Sequence, residues 1–168
     1  MKNAKQRNTG SFLAQGGMTA ALYVALTLAS SAMGLASGQI QLRLSEALTV
    51  LPCFFPAAVP GLFVGCLLAN LLTGCVLWDV AVGSLATLLG ALGTRLLRKN
   101  RWLAVLPPIV SNMLLVPPVL AWAYGVEASI PFLMLTVGLG EALSCGVLGE
   151  LTYSALDKHR ALWDRKGR

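Results

Sequence analysis

The sequence predicts an all-α membrane protein: a six-transmembrane-helix bundle, both termini cytoplasmic, forming a single integral membrane domain over residues 1–168. Three observations carry that prediction. The 168 residues are 56% hydrophobic and 12% charged, against about 25% charged in a soluble domain, and the mean hydropathy is +0.71. The few charges are unevenly spread. Between Asn8 and Thr94 they are Arg43, Glu46 and Asp79, and between Trp102 and Leu156 they are Glu127, Glu141 and Glu150. Stretches that long and apolar are solvated by lipid. Finally, every Lys and Arg except Arg43 falls in one of three clusters: Lys2, Lys5 and Arg7; Arg95, Arg98, Lys99 and Arg101; and Lys158, Arg160, Arg165, Lys166 and Arg168. Clustered basic residues mark cytoplasmic segments, so all three belong on one side, with residues 1–10 and 157–168 as basic extensions there.

The first span is expected over about residues 12–33, near the ~20 residues a crossing needs, followed by a short loop over residues 34–41. A short second span covers about residues 42–55. Pro52, Pro56 and Pro60 break its inner end, because proline removes a backbone donor and disfavours helix in the residue before it. The third, about 61–72, ends at Gly74; the fourth, about 76–97, delivers the Arg95 cluster to the cytoplasm. The fifth, about 103–124, carries Pro107-Pro108 and Pro117-Pro118, which are expected to kink it. The sixth covers about 132–156 and runs into the basic tail. An even number of crossings agrees with the charge rule. The short second and third spans are either two crossings or one bent re-entrant unit.

Depth then sorts the polar residues. Arg43 and Glu46, Asn70, and Trp78 with Asp79 fall at the outer ends of their spans; Asn112 is halfway through the fifth, with Trp122 and Tyr124 near its outer end. Glu141 lies about 14 Å into the sixth span, close to the midplane. An ionisable group there costs several kcal/mol unless it is paired or solvated, so a functional role is its default reading. Together these residues describe a pocket open to the outside. Competing readings stand beside this one: Arg43 and Glu46, three apart, also suit mutual pairing. Trp78 and Trp122 also suit an aromatic belt, and Asn70 and Asn112 suit hydrogen bonds between helices. Glu150, near the cytoplasmic edge, suits a structural or partner contact. Ala21, Ala25 and Ala29 form a smooth stripe along the first span, fit for close approach of another helix or for packing within the bundle.

Function classes are excluded as clearly. The net charge of +6 is explained by topology, and no nucleic-acid partner is expected. The chain lacks a G-x-x-x-x-G-K-[ST] phosphate loop, and His159 in the basic tail is its lone histidine, so neither ATP hydrolysis nor histidine-based catalysis is expected. Cys53, Cys66, Cys75 and Cys145 sit in apolar context without C-x-x-C spacing and read as packing residues. No metal, cofactor or enzymatic activity is expected, and uphill transport would draw on partners or on an ion gradient.

The run GQIQLRLSEALTVLPCFFPAAVPGLFVGCLLANLL over residues 38–72, WDVAVGSLATLLGALGTRLLRK over 78–99, and GLGEAL around Glu141 resemble the QueT-type queuosine-precursor family of energy-coupling-factor (ECF) transporter substrate-binding (S) components. The resemblance implies a six-helix S component of a bacterial plasma membrane, working with a transmembrane coupling subunit and two cytoplasmic ATPases. It also implies the ligand class: 7-deazaguanines such as preQ1, preQ0 or queuine. The stripe Ala21, Ala25 and Ala29 resembles the surface by which such components dock onto the coupling subunit. The residues suit this ligand. A carboxylate accepts from the adjacent ring N–H and exocyclic amine. Glu141 is the first candidate, and Asp79 or Glu46 suits a protonated aminomethyl group. Asn70, Asn112, Gln39 or Gln41 can donate to the ring carbonyl, while Trp78, Trp122 or Tyr124 can wall the ring. Which acid takes which group stays open. So do an S component for another vitamin and a stand-alone proton-coupled carrier using Glu141.

Overall fold

The computed structural model describes residues 2–35 and 41–159, with side chains from Thr9 onward. Gln39, the side chains of Lys2, Lys5 and Arg7, and Arg160, Arg165, Lys166 and Arg168 lie outside the described residues, as does much of the predicted first loop. The regular elements of the described residues are all helical, without a strand among them. Helix α1 (Lys2–Ala32) is followed by a 3-10 helix (Leu44–Cys53), α2 (Ala58–Leu72), α3 (Leu77–Leu96), the single turn α4 (Arg101–Ala104) and α5 (Leu106–Trp122). Helix α6 (Ile130–Glu141) then passes through a π-helical segment (Ala142–Leu148) into α7 (Gly149–Lys158).

Four stretches are long and apolar enough to cross a membrane: Thr9–Ala32, Leu77–Leu96, Arg101–Trp122 and Ile130–Lys158. They match the first, fourth, fifth and sixth predicted spans. The 3-10 helix and α2, which lie between the first two of these, are shorter. At their respective rises per residue, each reaches only about two-thirds to three-quarters of the way across a hydrocarbon layer. Of the prolines expected to break the second span, Pro56 lies in the turn after the 3-10 helix, Pro52 lies within that helix and Pro60 in the first turn of α2, while Pro107 and Pro108 open α5 rather than bend it. They occupy its first turn, where the missing N–H costs nothing.

The exterior is apolar, with Leu72, Leu77, Leu96 and Leu151 well exposed, while the interior holds Glu46, Asn70, Asp79 and Asn112, all 5% exposed or less. That is the distribution of a protein dissolved in lipid, where polar groups are turned towards one another. Helix α1 has two contrasting faces. Thr19, Tyr23, Thr27 and Ser30 are buried, whereas Ala21 and Ala25 are exposed and Ala29 is half-buried. Its inner face meets α2 almost backbone to backbone. A Cβ on Gly61 would stand 2.6 Å from the Gly16 carbonyl oxygen, and one on Gly65 would stand 2.8 Å from Tyr23 Cβ. In lipid such packing substitutes for the hydrophobic effect between helices.

The 3-10 helix threads the middle of the bundle, with Ser45 to Pro52 buried. Runs beyond three or four residues are uncommon because the hydrogen-bond geometry is poor. This one is tied at both ends by other helices. Leu44 N–H donates to Ser30 Oγ (2.9 Å) and Arg43 N–H to Ser144 Oγ (3.2 Å), while the Pro52 carbonyl accepts from Arg95 Nη1 (2.8 Å). Pro56 then stops it by disfavouring helix at Phe55. Arg101 Nη1 meets Glu150 Oε1 at 3.2 Å, tying α4 to α7 through the structural contact expected of Glu150.

Candidate functional site

Three residues per turn place side chains at i and i+3 in line, so the 3-10 helix presents Glu46 and Thr49 as one row, and Arg43, in extended backbone just before it, faces the same cavity as Glu46. The π segment does the complementary work on the far side. A wider helical turn there carries Ser144 and Cys145 inward beside Glu141. Gly140 in α6 lets the stretch leading into the 3-10 helix come close, because a Cβ on it would collide with the Gln41 carbonyl oxygen. Segments separated by about a hundred residues thereby share one polar centre.

At that centre a small cavity of about 30 Å³ is lined by Gln41, Arg43, Glu46, Asp79, Asn112 and Glu141 together with Gly83, Thr87, Val116 and Val137. It adjoins a cavity of about 310 Å³, which shares Gln41, Arg43, Asp79 and Val116 and adds Asn70, Thr73, Leu120 and Tyr124 among others. Gln41 also borders a third space of about 340 Å³ beside Glu127 and Phe132. Six of the polar residues singled out from the sequence therefore face one cavity, and Asn70 faces its neighbour.

Each carboxylate has its own setting. Glu46 accepts a short hydrogen bond from the Tyr23 hydroxyl at Oε1, with the Cys145 thiol 3.9 Å from Oε2. Glu141 Oε2 accepts from Cys145 Sγ at 3.2 Å, and Thr49 Oγ1 donates to the same sulfur at 3.4 Å. A donor atom from each of Glu46, Glu141 and Cys145 falls within 4.8 Å of the other two, close enough to hold one small cation. Two carboxylates about 5 Å apart repel by about 3 kcal/mol at an effective dielectric of ~20. A cation or a shared proton relieves that repulsion. Asp79, at the start of α3, accepts from Tyr124 Oη at 3.0 Å, and Tyr124 Oη accepts in turn from Val76 N–H at 3.4 Å. Asn70 Nδ2 donates to the Asp79 carbonyl oxygen (3.5 Å) and to Cys66 Sγ (3.6 Å), the interhelical bonding that competed with a ligand role.

Two groups are left open. Arg43 lines both cavities yet forms no ion pair among the described residues, so its anticipated pairing with Glu46 is not made. Asn112 Nδ2 is buried with no partner at hydrogen-bonding distance, although the side chain stands near enough to Glu141 to influence its carboxylate.

Trp78 and Trp122 stand apart from this centre. They are 71% and 85% exposed and flank a separate apolar groove of about 530 Å³ between α3 and α5, lined also by Leu114, Leu115 and Pro118. The aromatic ring beside the polar cavities is Tyr124. Sequence reasoning did not single out Tyr23, Thr49, Ser144 or Cys145. A signal existed for two of them: Tyr23 belongs to an i, i+4 row with Thr19 and Thr27, and Cys145 follows Glu141 by four residues, the spacing of side-chain neighbours on a helix.

The arrangement gathers polar groups rather than a nucleophile with its base. It offers three carboxylates, a guanidinium, amides and an aromatic wall to a small polar molecule, within a membrane-embedded helical protein. The model of the QueT transporter family matches residues 13–158. No curated protein and no solved structure matches the chain. With the match running from the first membrane-spanning helix to the last turn of α7, and with a membrane interior built around a polar pocket, the chain belongs to the QueT transporter family.

Proposed function

We propose that this transporter is the substrate-binding S component of an ECF-type importer in the bacterial plasma membrane, capturing a 7-deazaguanine queuosine precursor from outside. The carrying observation is the convergence of Glu46, Asp79, Asn112 and Glu141 from four separate elements onto one cavity beside a ligand-sized space. A deazaguanine presents adjacent donors to a carboxylate and a carbonyl oxygen to an amide, so each polar side chain has a counterpart on the ligand. Tyr124 or the aliphatic Val116 and Leu120 supply the wall for the ring.

In this reading the bundle makes six crossings with both termini cytoplasmic. The pocket then opens at the end of α3 that carries Asp79, away from Arg95 and the basic cluster. Without a phosphate loop of its own, the chain depends on partner ATPases acting through a transmembrane coupling subunit. The outward turn of Ala21 and Ala25 supports that stripe as the docking surface.

The test is thermal stabilisation of the purified protein. A ligand that binds only the folded state raises the melting temperature by mass action. PreQ1, preQ0 or queuine should raise it, while riboflavin, thiamine and biotin should leave it unmoved. A shift with one of those vitamins alone would reassign the ligand. The closely spaced Glu46–Glu141 pair also favours a second reading, a proton-coupled carrier. Uptake into vesicles by this chain alone, driven by a proton gradient without ATPase subunits, would establish it.

A further inference from the structure

We infer that the Glu46–Glu141 pair is an ammonium subsite, which receives a protonated amine on the ligand's side arm while the ring lies in the wider cavity beside Asp79. This rests on the deazaguanine reading and narrows it to members whose 7-substituent carries a basic amine.

Size is the first argument. The cavity that Glu46 and Glu141 help to line is about 30 Å³, room for one or two water-sized groups at the roughly 10–15 Å³ each needs. An ammonium group fits such a space and a bicyclic ring does not. The ring fits the adjoining cavity of about 310 Å³. Charge is the second. Glu46, Asp79 and Glu141 face the small cavity with Arg43 as its one basic residue, and none of the four forms an ion pair among the described residues. A neutral ligand leaves that excess of carboxylates in place, whereas a cation offsets it and gains charge-assisted hydrogen bonds. Asn112 supplies an independent observation. Its Nδ2 is a donor with no partner at hydrogen-bonding distance, the residue is 5% exposed, and it lines the same cavity. It calls for an acceptor next to the cation. In 7-aminomethyl-7-deazaguanine the ring carbonyl stands beside the aminomethyl arm, so cation and acceptor arrive together. The 7-cyano analogue brings acceptors and no cation.

The experiment is calorimetric titration of the purified chain, with chelator present, against 7-aminomethyl- and 7-cyano-7-deazaguanine. The aminomethyl compound should bind at least tenfold more tightly. Glu141→Gln should weaken it tenfold or more while changing the cyano compound less than threefold, and Glu46→Gln provides a second measurement of that ratio. Equal wild-type affinities would overturn the subsite and leave the deazaguanine reading standing. An equal loss of both ligands in the variants would put the ring at the pair and overturn it too. So would aminomethyl binding that appears only when a divalent cation replaces the chelator, because the pair would then be a metal site. If neither compound binds and queuine does not bind either, the deazaguanine reading falls as well.

Discussion

The inside and the outside of this bundle carry opposite chemistry, and a cavity wider than the polar ones belongs to the outside. The groove at Trp78 and Trp122 encloses about 530 Å³ but is lined by apolar side chains on the lipid-facing flank of α3 and α5. The polar cavities are smaller, yet they gather Arg43, Glu46, Asp79, Asn112 and Glu141. Volume and polarity point to different cavities. In lipid an apolar groove is filled by acyl chains at little cost, whereas ionisable groups need a partner, so in a membrane protein the polar convergence marks the site. The comparison has a functional corollary: interior substitutions should change ligand affinity, and exterior ones should change assembly or nothing.

The largest effect expected from that division is on the exposed face of α1. Ala25→Trp adds a bulky ring to the smooth stripe and blocks close approach of a partner helix. Uptake by the assembled transporter should fall at least tenfold, with ligand affinity of the isolated chain unchanged. Normal uptake with a normally assembled complex would show that the stripe does not dock the coupling subunit. A loss of affinity would break the division between faces instead.

Tyr124→Phe probes the interior. It removes the hydroxyl that donates to Asp79 Oδ2 and accepts from Val76 N–H, while keeping the ring as a wall. A hydrogen bond between uncharged partners contributes about 0.5–1.5 kcal/mol, and one to a charged group more. Part of the loss is recovered when the freed carboxylate meets the ligand or water. Affinity should therefore fall about two- to tenfold. Isothermal titration measures it; an unchanged affinity would place Asp79 outside the ligand's contacts.

The long regular helices were legible in the sequence because they rest on local properties. Hydropathy located the spans that became α1, α3, α4 with α5, and α6 through α7. Depth along those spans was enough to single out Asp79, Asn112 and Glu141. The 3-10 helix and the π segment were not legible. The 3-10 run is held by Ser30, Ser144 and Arg95, which lie in other helices, and no local pattern in LSEALTVLPC encodes those partners. Without it, the alignment of Glu46 with Thr49 could not be read. The rotation of the fifth span was equally hidden. Trp122 and Asn112 sit on one helix ten residues apart, about 80° around its axis, so periodicity alone did not put them on opposite faces. Packing of α5 against α3 and α6 is what turned Trp122 to lipid.

That rotation yields the smallest predicted effect, and the one that most directly tests the comparison between cavities. Trp122 is 85% exposed, and the groove it borders shares none of its lining residues with the small acidic cavity. Truncating it removes an interfacial anchor in contact with lipid. It leaves the hydrogen bonds of Glu46, Asp79 and Glu141 in place. Trp122→Ala should hold ligand affinity within about twofold of wild type, because sites without shared partners behave independently to within roughly 0.3–0.5 kcal/mol. Titration with the best-binding deazaguanine, alongside Trp78→Ala on the opposite wall, measures both tryptophans at once. A tenfold loss in both variants would mean that the ligand's ring occupies the lateral groove after all, and the acids at the bundle centre would then need another role.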